Sequence, residues 1–188
     1  STPYEKKVFP LYYIADTEQG QVWWNTCTVW AVNHTEKLFL TAAHCVLDEQ
    51  TGQLSLPVFV GPDHHLTKVL RADQHRDIAL LWSDQPADDF VLSQRPVGFK
   101  DDVEIPSFQL GWELFMLTTG RVTNPSGTIH NDNKAYMWHS VFGCGGSSGS
   151  PILDKQGRAV SLEQVGANFL EPCSGVGGGA TQEDMADF

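Results

Sequence analysis

Apolar residues along the chain fall in short runs: VWWNTCTVWAV (22–32), LFLTAA (38–43), LPVFV (56–60), DIALLW (77–82), LFMLTTGRV (114–122), AYMWHSVF (135–142) and PILDKQGRAVSL (151–162). The runs are rich in β-branched and aromatic residues and are bounded by Gly, Pro, Asn and Asp, the signature of β-strands; spacing for amphipathic helices is scarce. Two places read as hairpins, Asn33 to Lys37 and Asp154 to Arg158, the second with Gly157 to supply a positive φ. The pattern therefore predicts an all-β protein. The Pro- and Asp-rich stretch from Ser83 to about Pro106 reads as the connection between two β units. No internal repeat or heptad pattern is present, and the one low-complexity patch is GVGGG at 175–179.

A length of 188 residues suits one ordinary domain or two small barrels sharing an interface, with enough apolar surface to fold without metal or partner. With 12 Lys and Arg against 23 Asp and Glu, the formal charge of −11 sets up a field that repels phosphate backbones and anionic membranes. Nucleic acid and membrane are thus excluded as expected partners. No apolar run approaches the roughly 20 residues that cross a bilayer, and the leading STPYEKKVF lacks the apolar core of a signal peptide, so the chain reads as soluble and already processed. The 4 cysteines form no CxxC pair, which disfavours zinc and leaves two disulfides, in any of three connectivities, as the natural assignment. An oxidising compartment follows.

Three segments carry candidate chemistry. In GCGGSSGSP, residues 143–151, Ser148 sits among small residues that let a substrate backbone approach and let backbone N–H groups converge. In LFLTAAHC, residues 38–45, a strand ends in a small-residue turn that holds His44 beside a cysteine. In DIALLW, Asp77 stands at the mouth of an apolar strand, where a carboxylate is tolerable beside an imidazole. Amide hydrolysis by covalent catalysis needs these parts: a hydroxyl nucleophile, a base, an acid that orients the base, and oxyanion donors. Taken singly, each segment has a bland reading as a linker, a structural histidine or a strand-start acid. The adjacent His64 and His65 read as a surface pair, and His34, His75, His130 and His139 have no ligand-spaced partners, so no metal is expected.

Together, in the chain order His, Asp, Ser, the segments LTAAHC, DIALL and GxSGSP resemble the signatures of the chymotrypsin/trypsin family. Gly111–Trp112 is similar to the GW that opens the family's second barrel, and Thr119–Val122 to the strand that follows. The nucleophile segment is similar to the bacterial glutamyl-endopeptidase branch, whereas the cysteines are similar to the animal branch. The resemblance implies two six-stranded antiparallel Greek-key β-barrels with the site in the cleft between them. It places His44 and Asp77 in residues 1–90 and Ser148 with the specificity pocket in 91–188. It further implies a secreted, monomeric serine endopeptidase acting on protein or peptide substrates through an acyl-enzyme. Its triad would be His44, Asp77 and Ser148, its oxyanion hole the N–H groups of Gly146 and Ser148, and it would need no cofactor. The disulfides implied are Cys27–Cys45 and Cys144–Cys173. A polyprotein-processing protease and a catalytically idle binding homologue are the alternatives.

The sequence departs from the family at three points. Ser147 stands where digestive members carry the Asp that receives a new N-terminus, and no IVGG-like start is present. Glu163–Gln164 occupies the place of a serine that normally bonds the catalytic acid, and the closing strand is expected to be weak and the C-terminal helix short or absent. For the specificity pocket, the family pattern assigns the floor to Phe142, with Gly143 beside it and Gln164, Val165 and Gly166 as the wall, which predicts preference for apolar or small residues. The competing assignment aims Glu163 into the pocket and selects Lys or Arg.

Overall fold

In the computed structural model, which describes residues 4–48, 50–55, 57–109, 114–128, 133–166 and 173–188, the apolar runs become strands of two closed barrels. The first contains β1 (Val8–Thr17), β2 (Gly20–Asn33), β3 (Leu38–Thr41), β4 (Val58–Val60), β5 (His65–Asp73) and β6 (Ile78–Ser83), closed in the order β1-β2-β3-β6-β5-β4. The second contains β7 (Asp102–Gln109), β8 (Leu114–Thr128), β9 (Ala135–His139), β11 (Pro151–Leu153), β12 (Ala159–Gly166) and β14 (Gly177–Ala180), closed in the order β11-β12-β14-β9-β8-β7. A short pair, β10 (Gly143–Cys144) and β13 (Cys173–Ser174), stands outside both. All pairings between these strands are antiparallel, and closure leaves neither barrel with an open edge.

Several strands bury both faces, as in five successive residues of β2 and six of β12. Leu11, Val29, Trp30, Phe39, Ile78 and Leu81 fill the first barrel, and Val103, Ile105, Val122, Met137 and Ile152 fill the second. Each such side chain contributes about 1.5–3 kcal/mol by leaving water. Leu153, Ala159, Leu162 and Ala180 from the second barrel join the first barrel's core cluster, so the two units share packed apolar surface. That shared seam fixes any site built across it.

Both expected hairpins form. Asn33 ends β2 and Leu38 begins β3, with Lys37 at φ 60°. In the second, Gly157 adopts φ 75°, and Asp154 Oδ1 accepts the N–H groups of Gln156 and Arg158 at 2.9 and 3.0 Å. The expected connection is shorter than the composition implied, because β7 already begins at Asp102. Pro106 is accommodated there: β7 runs along β8 over its whole length, while its pairing with β11 is confined to Glu104 opposite Leu153. The closing strand β14 is buried although it reads GGGA, since its small residues pass under Trp138 and Ile152. A C-terminal helix α1 (Gln182–Asp187) follows, capped by Thr181, whose Oγ1 accepts the Asp184 N–H at 3.1 Å. Gly111, Trp112 and His130 lie outside the described residues.

Candidate active site

His44 lies in a single 3-10 turn, Ala43–Cys45, that ends β3. The Cys27–Cys45 disulfide ties this turn to β2. Asp77 immediately precedes β6, which is paired with β3, so two neighbouring strands deliver the acid to the base. Both carboxylate oxygens of Asp77 are engaged by the same residue: Oδ1 accepts the His44 backbone N–H at 2.8 Å, and Oδ2 lies 2.8 Å from Nδ1 of its ring. A carboxylate can only accept a proton-bearing Nδ1, so the neutral imidazole keeps its lone pair on Nε2.

Asp77 holds a left-handed backbone conformation, φ 56°, which costs a non-glycine residue about 1–3 kcal/mol unless the surroundings enforce it. Enforcement comes from the second barrel. The Gln164 side-chain amide donates to the carbonyls of Arg76 and Asp77 at 2.7 and 3.1 Å, and its Oε1 accepts Lys134 Nζ at 2.6 Å. Lys134 is only 8% exposed and also donates to the Arg76 carbonyl at 3.2 Å. Gln164 thus grips the main chain at Asp77, the candidate catalytic acid, whereas the family's serine would bond its carboxylate. On the outer side of the same loop, burial pushes the Asp73 carboxyl up. The Arg76 backbone N–H and guanidinium outweigh that effect and hold it below the ordinary carboxylate range.

Ser148 is half-buried in the turn leading from β10 to β11. This turn is clamped to the first barrel by one residue, Thr28. Its N–H donates to the Ser148 carbonyl at 3.0 Å, and its Oγ1 donates to the Gly146 carbonyl at 3.0 Å. Gly146 turns at φ 97°, and among the described residues the N–H groups of Gly146 and Ser148 donate to no acceptor in the protein. Ser147 needs no buried charge partner, because its hydroxyl donates to the Cys144 carbonyl at 2.7 Å. A carboxylate at that buried place would require a cation. Gln109, fully buried, braces the turn from β7 by accepting the Cys144 N–H at 2.8 Å.

Two concavities meet here. One, about 180 Å³, is bounded by Gly143, Ser148, Glu163, Gly166, Ser174 and Gly177. The other, about 480 Å³, opens on the side of His44 and Asp77 and is also lined by Gln164. Val165 and Gly166 form a wall common to both. Phe142, expected as the pocket floor, is 47% exposed and is not among the residues that line the smaller concavity, whereas Gly143 and Cys144 of β10 are. The expected Cys144–Cys173 bridge joins β10 to β13 and closes that wall. Thr28, Gln109 and Lys134 escaped the sequence reading, and His139 entered it only as a histidine without ligand-spaced partners; each acts across the tertiary fold, and no local motif marks any of them. Among the described residues, the one cluster of metal-type ligands is Cys27, His44 and Cys45, whose sulfurs are bonded to each other and are not thiolates.

Comparison with known proteins agrees with this architecture. The chain is similar in structure to the active form of the Rv3671c protease from M. tuberculosis, at 21% identity and a TM-score of 0.73, covering 97% of this chain and 79% of that one. It is also similar to the HtrA-type protease AlgW with a bound decapeptide, at 16% identity and a TM-score of 0.72, covering 95% of this chain and 61% of that one. No curated protein sequence matches significantly. The profile of the trypsin-like peptidase domain matches residues 25–162, a span that contains His44, Asp77 and Ser148 and most of both barrels. The chain belongs to the trypsin-like peptidase family.

Proposed function

We propose that the protein is a secreted serine endopeptidase that cleaves peptide bonds through an acyl-enzyme formed on Ser148. The observation that carries this reading is the two-point grip of Asp77 on His44 beside the Ser148 turn. With Nδ1–H held by Asp77, Nε2 of His44 accepts the hydroxyl proton as Ser148 Oγ attacks the substrate carbonyl carbon. The carbonyl oxygen takes up the electron pair and is stabilised by the N–H groups of Gly146 and Ser148. The C–N bond then breaks, His44 returns its proton to the leaving amine, and the acyl group remains on Ser148. Water, deprotonated by His44, attacks the ester and releases the carboxylic acid product. The two disulfides support an oxidising, extracellular setting.

A fluorophosphonate probe tests the assignment. It is expected to label the protein on Ser148, as mapped by peptide mass spectrometry, and Ser148→Ala is expected to abolish labelling and lower turnover on the order of 10⁶-fold while the variant stays folded. Labelling or cleavage near wild-type levels in that variant would overturn the reading.

A further inference from the structure

Among the buried ionisable side chains that the mechanism leaves unused are His139, at 0% exposure, and Glu163, at 5%. They come from β9 and β12, which flank β14, and they meet across Gly177 with His139 Nε2 3.0 Å from the Glu163 carboxylate. Gly177 makes room for the pair: a Cβ there would lie 2.7 Å from His139 Cε1 and 3.2 Å from Glu163 Oε2.

Hydrogen bonding fixes the charge of this pair. Nδ1 of His139 accepts the Val141 N–H at 3.1 Å and so carries no proton. The ring's one proton must then sit on Nε2 and be donated to Glu163. A doubly protonated ring would set Nδ1–H against the Val141 N–H, so His139 orients Glu163 without supplying a positive charge. Among the described residues, no Lys or Arg lies within ion-pair distance of Glu163. Glu163 instead lines the 180 Å³ pocket that Ser148 also lines, and its Oε2 lies beside Gly177, another residue of that lining. An ionised group so far out of water is costly unless a cation joins it.

We propose that Glu163, oriented by neutral His139, is the specificity determinant of this pocket, and that the enzyme cleaves after Lys or Arg. This rests on the serine-protease reading, because the residue seated beside Ser148 is the one whose carbonyl Ser148 attacks. The open wall left by Gly166 and Gly177 admits a long side chain, and its cationic end supplies the missing counter-charge at Glu163.

A peptide library with every residue N-terminal to the scissile bond, normalised to the fluorophosphonate active-site titre, decides the matter. Wild type is expected to favour Lys and Arg. In Glu163→Gln the ratio of kcat/KM for Lys and Arg substrates to that for Leu and Ala substrates is expected to fall about 10²- to 10³-fold, the scale for removing one partner of a buried ion pair. Benzamidine, an amidinium probe, is expected to slow labelling of wild type and to lose that effect in the variant. Dominant wild-type cleavage after apolar or acidic residues, or an unchanged ratio in Glu163→Gln, would overturn the proposal. Absence of any labelling on Ser148 would instead overturn the protease reading beneath it. The wild-type profile decides even where the variant does not fold.

Discussion

Gly149, the residue after Ser148, offers the sharpest test of how the two barrels hold the nucleophile. It has φ +88°, and a Cβ built there would lie 2.2 Å from Thr41 Oγ1 and 2.4 Å from the Thr28 carbonyl. Neither neighbour is free to retreat. Thr41 Oγ1 already donates to that same carbonyl at 2.8 Å, and the Thr28 N–H holds the Ser148 carbonyl at 3.0 Å. Gly149→Ala therefore carries two penalties: about 1–2 kcal/mol for a left-handed backbone and about 1–3 kcal/mol for overpacking. A central figure of about 3 kcal/mol, at about 2–4 °C per kcal/mol for a chain of this size, lowers Tm by about 6–12 °C.

Two other glycines separate the penalties. Gly157 also has a positive φ, +75°, but a Cβ there meets nothing within 4 Å, so Gly157→Ala carries only the backbone cost and should lower Tm by about 2–8 °C. Gly175 has neither a positive φ nor a neighbour within 4 Å, and Gly175→Ala should stay within about 0.5 kcal/mol of wild type. Scanning calorimetry ranks the three, and the rate of fluorophosphonate labelling reports Ser148. A shift of the turn on the order of 1 Å should slow labelling about 10²-fold in the Gly149 variant alone. If Gly149→Ala melts together with Gly157→Ala and labels at the wild-type rate, the clamp of Thr28 and Thr41 on the nucleophile turn is refuted.

Gln164→Ala is expected to lower kcat about 10- to 10²-fold with KM for a small ester substrate little changed, because it releases the Asp77 main chain without touching the pocket that holds Glu163; a change confined to KM would contradict the positioning role. Asp73 titrates below the ordinary carboxylate value in the folded protein, so its contribution is complete above about pH 4 and is lost as pH falls through the folded value. Asp73→Asn should flatten the acid limb of the urea midpoint against pH, and parallel limbs would rule this out.

Much of the fold is legible in the sequence because a closed barrel needs only alternation and turns. The runs around Trp30, Phe39 and Leu81 announce strands, and Asp154 with Gly157 announces its hairpin, since the physics in each case is local. Composition misled at residues 102–106, where Asp102 and Pro106 argue for a loop. There the pairing of β7 with β8 along Asp102 to Gln109 outweighs local preference, and the proline sits where pairing to β11 is not required.

The site divides in the same way. The proposed triad of His44, Asp77 and Ser148 stands out in the sequence because each residue sits in a local context of small or apolar neighbours that suits such chemistry. The residues that hold them do so at sequence separations of 30 to 118: Lys134 to Gln164, Gln109 to Cys144, Gln164 to Asp77, and Thr28 to Gly146. No spacing rule can expose such pairs, because closure of the barrels creates them. Phe142 illustrates the reverse error. Counting residues back from Ser148 assumes a fixed path for the wall, yet here Gly143 and Cys144 line the smaller concavity and Phe142, 47% exposed, does not. The carboxylate that lines the pocket comes instead from β12, on the opposite side, where its oxygen-bonded histidine lies two strands away across Gly177. The pocket's charge is therefore a property of sheet order, and it became readable only when β9, β14 and β12 were placed side by side.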